Sequence, residues 1–186
     1  MHRCRKSSAY VRIVAAAAIC WTLSVPAAHA GEVAIADLQA TVRSLGFLDS
    51  LQIRSTVSIG VVYSSNMRDG KNVAAQTANA FAAMHGPSSS AIHANIVTVD
   101  ELLQNSQRFD VLYLMPGVAA SGAQIADFVR RQHVVSISSD PACLDAKCCV
   151  LMVQAGSNVN IVLDTAMASA ANAHFSSVFT MMVKRK

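Results

Sequence analysis

Charge is scarce in this chain. Only 14% of its 186 residues are Asp, Glu, Lys or Arg, against 53% hydrophobic. That balance excludes a disordered, charge-rich chain, and the mean hydropathy of +0.37 agrees. Signatures of chemistry are also missing. No Gly-x-Gly-x-x-Gly or Walker sequence offers backbone amides to a phosphate. No Gly-x-Ser-x-Gly elbow presents a nucleophile. No Cys-x-x-Cys pair or second cysteine pair exists, and His85, His93, His133 and His174 fall at unrelated spacings, so neither a redox motif nor a zinc site is written in the sequence. The Asp100-Glu101 pair reads as the acidic opening of a helical turn. These absences disfavour an enzyme, a metal centre and a bound cofactor.

What charge there is sits unevenly. The formal +4 suggests a nucleic-acid or anionic partner until it is located. Arg3, Arg5, Lys6 and Arg12 precede an apolar run, Ile13–Val25, followed by Pro26 and then Ala28-His29-Ala30. A basic start, an apolar middle and small residues at the cut are the plan of a secretory signal peptide, cleaved after Ala30. The run is shorter than the roughly 20 residues that span a bilayer. Residues 1–30 carry four basic residues and no acidic one, so the expected mature chain, 31–186, is formally neutral. The tail Lys184-Arg185-Lys186 reads as a solvated end, and no basic face suited to several phosphates is visible. The expected location is the periplasm, with no nucleic acid bound and no stable membrane insertion after cleavage.

Cys4, Cys20 and the only Trp, Trp21, lie within 1–30; Cys143, Cys148 and Cys149 remain. In an oxidising compartment two cysteines five or six residues apart close a small loop if the chain turns back, and Pro141 and Asp145-Ala146-Lys147 favour a turn. A bond between the adjacent Cys148 and Cys149 would be strained. One thiol is left over.

The mature chain alternates helical and strand-like patterns. Helices are expected at 32–48, 68–85, 99–105, 121–132, 165–173 and 176–183, the last with Val178, Phe179, Met182 and Val183 as its apolar face. Strands are expected at 56–63, 91–98, 109–115, 133–138, 149–155 and 159–164, the last two around the turn Gly156-Ser157-Asn158. Strand–helix–strand alternation predicts a three-layer α/β fold with a mainly parallel sheet, as in flavodoxin or a periplasmic binding lobe, with an antiparallel edge hairpin near the C-terminus. With no repeat or long linker, 31–186 reads as one domain. Ligands of such sheets bind beyond the carboxyl ends of the strands. That places a candidate ligand rim at Ser64, Ser65 and Asn66, at Gly117, and at Ser138, Ser139 and Asp140. The same residue types also serve as ordinary turn and cap residues.

The last third resembles a known family. Val135–Cys143 with its Ser-Ser-Asp-Pro, the strand Cys149–Val153, Val159–Asp164, and Phe175–Met182 are similar to the YfiR-like family of periplasmic proteins. Family members show a strand ending in Ser-Asp, a cysteine-bounded loop, two strands and a C-terminal helix of this kind. The middle of the chain resembles one lobe of a periplasmic solute-binding protein. The YfiR-like resemblance implies a disulfide between Cys143 and Cys149, with Cys148 as the extra free thiol. It also implies a non-enzymatic regulator that binds the periplasmic part of an inner-membrane signalling protein, such as a diguanylate cyclase, and holds its output down. Residues 32–48 depart from the family pattern, having Phe47 but no Trp. The alternative is a single-lobe solute-binding protein that serves a transporter or sensor and takes a small-molecule ligand.

Overall fold

The computed structural model describes residues 33–104 and 107–186. The expected signal segment, 1–30, lies outside the described residues. Seven strands form one sheet in the order β2-β1-β3-β4-β5-β6-β7. They are β1 (Thr56–Tyr63), β2 (Ala91–Thr98), β3 (Val111–Leu114), β4 (Val135–Ser138), β5 (Leu151–Ala155), β6 (Val159–Leu163) and β7 (Lys184–Arg185). The first five are parallel, in the 2-1-3-4-5 order of flavodoxin-like folds. β6 turns back antiparallel on β5 through Gly156-Ser157-Asn158, and β7 runs parallel to β6.

The sequence explains this order. β1, β3 and β4 are flanked by strands on both sides and covered by helices on both faces, so they read as near-continuous apolar runs. Every residue of β3 and β4 is buried. β2 is an edge strand, and exposed residues (Ala91, His93, Asn95) alternate along it. The helices are α1 (Ile35–Leu45), α2 (Gly70–Ala82), α3 (Val99–Gln104), α4 (Gly122–Gln132), α5 (Ala142–Asp145), α6 (Thr165–Ala170) and α7 (Ser177–Met182). α1 and α2 pack together on one face, and α3, α4 and α6 associate on the other. Phe81 of α2 meets Tyr113 of β3 edge-on, ring centroids 5.1 Å apart, an arrangement contributing roughly 0.5–1.5 kcal/mol beyond the buried area.

Several expectations need correction. The tail is exposed, as expected, but it is also paired: β7 pairs with β6, Lys186 N–H donates to Leu163 O, and Lys186 Nζ reaches Asp145 Oδ1 at 3.0 Å. The antiparallel hairpin is present, but β7 lies outside it at the sheet edge. On α2 the buried positions are Gly70, Ala74, Thr77, Ala78 and Phe81, while Ala82 and His85 are exposed. α7 buries only Phe179 of its expected apolar face; Val178 and Met182 are 55% and 64% exposed. A helix this short has one turn to offer the core, and Phe179 takes it by stacking on Phe47 and Phe175 at 5.0 and 5.2 Å. His133 is not in a strand but caps α4 with a left-handed backbone, φ 50°.

The cysteine loop also differs from the pairing the resemblance implies. The disulfide joins Cys143 to Cys148, and the buried free thiol is Cys149. The reason is local. α5 makes a single turn and Lys147 adopts a left-handed conformation, φ 52°. The chain then folds back so that Cys148 N–H donates to Cys143 O at 3.0 Å, with the two Cα atoms 5.4 Å apart. Cys149, the next residue along, is turned away into the core.

Candidate functional site

All five parallel strands end on the same rim of the sheet, and β1 and β3 form the point where the chain order reverses. In open α/β sheets this is where ligands gather. The seven rim residues expected from the sequence all fall there: Ser64, Ser65 and Asn66 after β1, Gly117 after β3, and Ser138, Ser139 and Asp140 at the end of β4.

Their hydrogen bonds divide them into two groups. The β4 group is turned inward. Ser138 Oγ donates to Leu114 O at 2.8 Å and accepts from Asp140 N–H at 3.0 Å. Asp140 accepts from Gly117 N–H at 3.2 Å and from Ala142 N–H at 2.9 Å, so it fastens the loop after β3 to the start of α5. Tyr113 Oη donates to Ser139 Oγ at 3.1 Å, and Gln154 Nε2 donates to Ser139 O at 3.0 Å. Burial raises the Tyr113 phenol above its ordinary pKa, against the lowering effect of the Ser139 bond, so it stays a neutral donor. Gly117 has φ 88°, a conformation other residues adopt at a cost, and it turns the chain between β3 and α4. This half of the rim is a self-satisfied polar clasp.

The β1 group faces open space. Ser65 and Asn66 are exposed. Ser65 borders a cavity of about 280 Å³ lined also by Tyr63, Met67, Asp69, Gly70, Lys71 and Thr98. The cavity lies beyond the carboxyl ends of β1 and β2, against the first turn of α2. Its far wall is fixed by a capping box. Thr98 Oγ1 accepts from Glu101 N–H at 3.1 Å, while Glu101 Oε2 accepts from Thr98 N–H at 2.8 Å and from Thr98 Oγ1 at 2.9 Å. The Thr98 bonds hold the Glu101 carboxyl below its usual range. Gly70 is closely packed: a Cβ there would lie 3.0 Å from Met67 Cβ and 3.2 Å from Ser64 O.

Sequence reasoning missed Tyr63, Asp69, Lys71 and Thr98 as cavity walls. The readable signals were a Thr-x-x-Glu box directly after a strand, and the lone Lys71 at the start of an otherwise uncharged helix. Among the described residues no group of three His, Cys, Asp or Glu is placed to hold a metal ion, and no helix is long and apolar enough to cross a membrane.

No protein-family model matches the chain, and no curated protein matches it. Solved structures do. An ABC domain in complex with L-Trp from Streptococcus pneumonia superposes with a TM-score of 0.59 at 10% identity, covering 81% of this chain and 61% of that one. A conserved domain protein from Vibrio cholerae gives 0.56 at 13% identity, over 74% and 57%. A ligand-free, open substrate-binding protein with adhesive properties from Clostridium difficile gives 0.50 at 12% identity, over 81% and 58%. The chain thus spans about three fifths of the length of these structures. At such identities the likeness shows the fold, a mainly parallel α/β sheet of the kind found in solute-binding proteins.

Proposed function

We propose that this chain is an exported, non-catalytic solute-binding domain that takes a small polar molecule at the carboxyl ends of β1 and β2. The observation that carries this reading is the 280 Å³ cavity at that rim. Its walls bring one cation, Lys71, and one carboxylate, Asp69, together with the hydroxyl-bearing Tyr63 and Ser65. Such a set suits a small zwitterion or polyol better than an apolar ligand. The likeness to a substrate-binding protein and to an L-Trp-bound domain supports a binding role, and no feature of the site asks for a nucleophile or base. The domain comprises 31–186 after removal of 1–30, and works in the periplasm for a transporter or sensor. Mass spectrometry of the protein from the periplasmic fraction tests the cleavage.

A thermal-shift screen across amino acids, sugars, polyols and small anions tests the binding role. A ligand at a hundredfold excess over its Kd adds about 2.7 kcal/mol to the native state, a readily measured rise in melting temperature. Lys71→Met should abolish that rise. No stabilisation by any compound in the screen would sink the proposal.

A second reading has its own support. The disulfide-clipped loop, and Val159, Val178, Met181 and Met182 left exposed near the opposite sheet edge, suit a protein contact. On this reading the chain represses a membrane signalling protein, such as a diguanylate cyclase, through that protein's periplasmic part, as the YfiR-like resemblance implies. Affinity for the periplasmic domain of a membrane cyclase encoded beside it is the measurement that decides.

A further inference from the structure

A second cavity, of about 320 Å³, lies towards the opposite edge of the sheet, between α1, β6 and α7. Its chemistry is unlike that of the polar rim. Phe47, Ile161, Phe179 and Met182 give it largely apolar walls. Just two charged side chains line it, Arg43 and Lys184, and both are cations. Neither belongs to an ion pair among the described residues, whose acidic partners go to Arg54, Arg130 and Lys186 instead. No acidic residue lines the cavity.

Asn160 also lines the cavity, but its side-chain Oδ1 is shielded from solvent and faces away from the open space.

From these features we infer that the cavity binds a small amphiphilic carboxylate. Its hydrocarbon part lies against Phe47, Phe179 and Met182, and its head group is held by Arg43 and Lys184. The charge pattern selects the head: two exposed cations beside an apolar cavity, with no acid among its walls, favour an anion and repel an amine. The volume is at the small end of ligand pockets, which suits a short alkyl or arylalkyl acid and not a phospholipid. Met182 of α7, 64% exposed, is the part of the wall that such a ligand would cover.

The test uses octanoate as the probe, with octanol and octylamine as matched controls, followed by amide NMR titration of the purified protein. Octanoate should shift the Phe47, Asn160 and Phe179 amide signals saturably. Arg43→Gln and Lys184→Gln should each weaken binding about tenfold, the loss expected of one hydrogen bond to a charged group. Octanol and octylamine should bind more weakly than octanoate. Both substituted side chains are exposed, so the melting temperature of each variant serves as the check on folding. The proposal is overturned if octanoate leaves these three amides unmoved, or if the R43Q/K184Q protein binds it as well as the parent does. It is equally overturned if octylamine competes on equal terms, or if the same face responds only to anionic vesicles or to self-association.

Discussion

Cys149 shows how far a single residue's surroundings decide its chemistry. It follows directly on a disulfide-bonded neighbour, yet it is a buried thiol. Burial, reinforced by the Asp164 and Asp140 carboxylates, pushes its pKa up to about 12. It should therefore resist alkylation in the native protein at neutral pH and react at once on unfolding, and a two-step thiol titration checks this. Because the folded-state pKa is raised, its contribution to stability is complete below the ordinary thiol range. That contribution is lost as pH climbs from roughly 8.5 towards the folded value. Denaturation midpoints measured across that window should fall in the parent and fall less in Cys149→Ala. Ser138 is the second residue of this kind. Both its bonds are internal, so Ser138→Ala should cost about 1 kcal/mol by chemical denaturation.

Among the elements, α3 and the cysteine loop invite direct tests. The Thr98–Glu101 box satisfies the first turn of α3, so Thr98→Ala should lose about 1 kcal/mol and loosen the cavity wall. Glu101 is held below its usual pKa, so its support is present above the ordinary carboxylate range and is lost as pH falls through the lowered folded value. Glu101→Gln should flatten the acid limb of the stability profile. The Cys143–Cys148 bridge closes a short loop, and its removal in Cys143→Ala/Cys148→Ala should cost about 2 kcal/mol. How legible an element was followed its environment. β1 and β2 were read at their true limits, 56–63 and 91–98, because period and flanking turns agreed. α7 was misjudged because period says which residues share a face, not whether a core lies opposite it. The cysteine pairing was missed because the sense of the turn rests on a left-handed Lys147, which no side-chain pattern announces.

At the scale of the molecule, the alternation of patterns was enough for the three layers and the antiparallel hairpin. The carboxyl-end rim followed from topology. The sequence could not show that half of that rim would be consumed by its own hydrogen bonds, since Asp140 meets Gly117 only once β3 and β4 are side by side. Nor could it show β7, whose pairing with β6 depends on where α7 returns the chain. α1 is docked by distant partners: Ala155 N–H donates to Asp37 Oδ1 at 2.6 Å, Leu48 bridges Phe175, and Ser176 N–H donates to Phe47 O at 2.9 Å. Truncation before Phe175 should therefore leave the β1–β4 core folded and loosen the C-terminal end of α1 while its Asp37–Ala155 tie remains, seen as lowered hydrogen-exchange protection in 41–45.

That stitching of α1 to residues near 175 has a consequence in time. α1, the first of the described helices to leave a ribosome, cannot complete its packing until nearly the whole chain has followed. Loop closure over such a separation is slow compared with helix formation. Until then Leu48, enclosed in the finished fold, lacks its Phe175 partner. A chain that cannot close early is most exposed to holding chaperones and proteases in the interval before its last strand arrives.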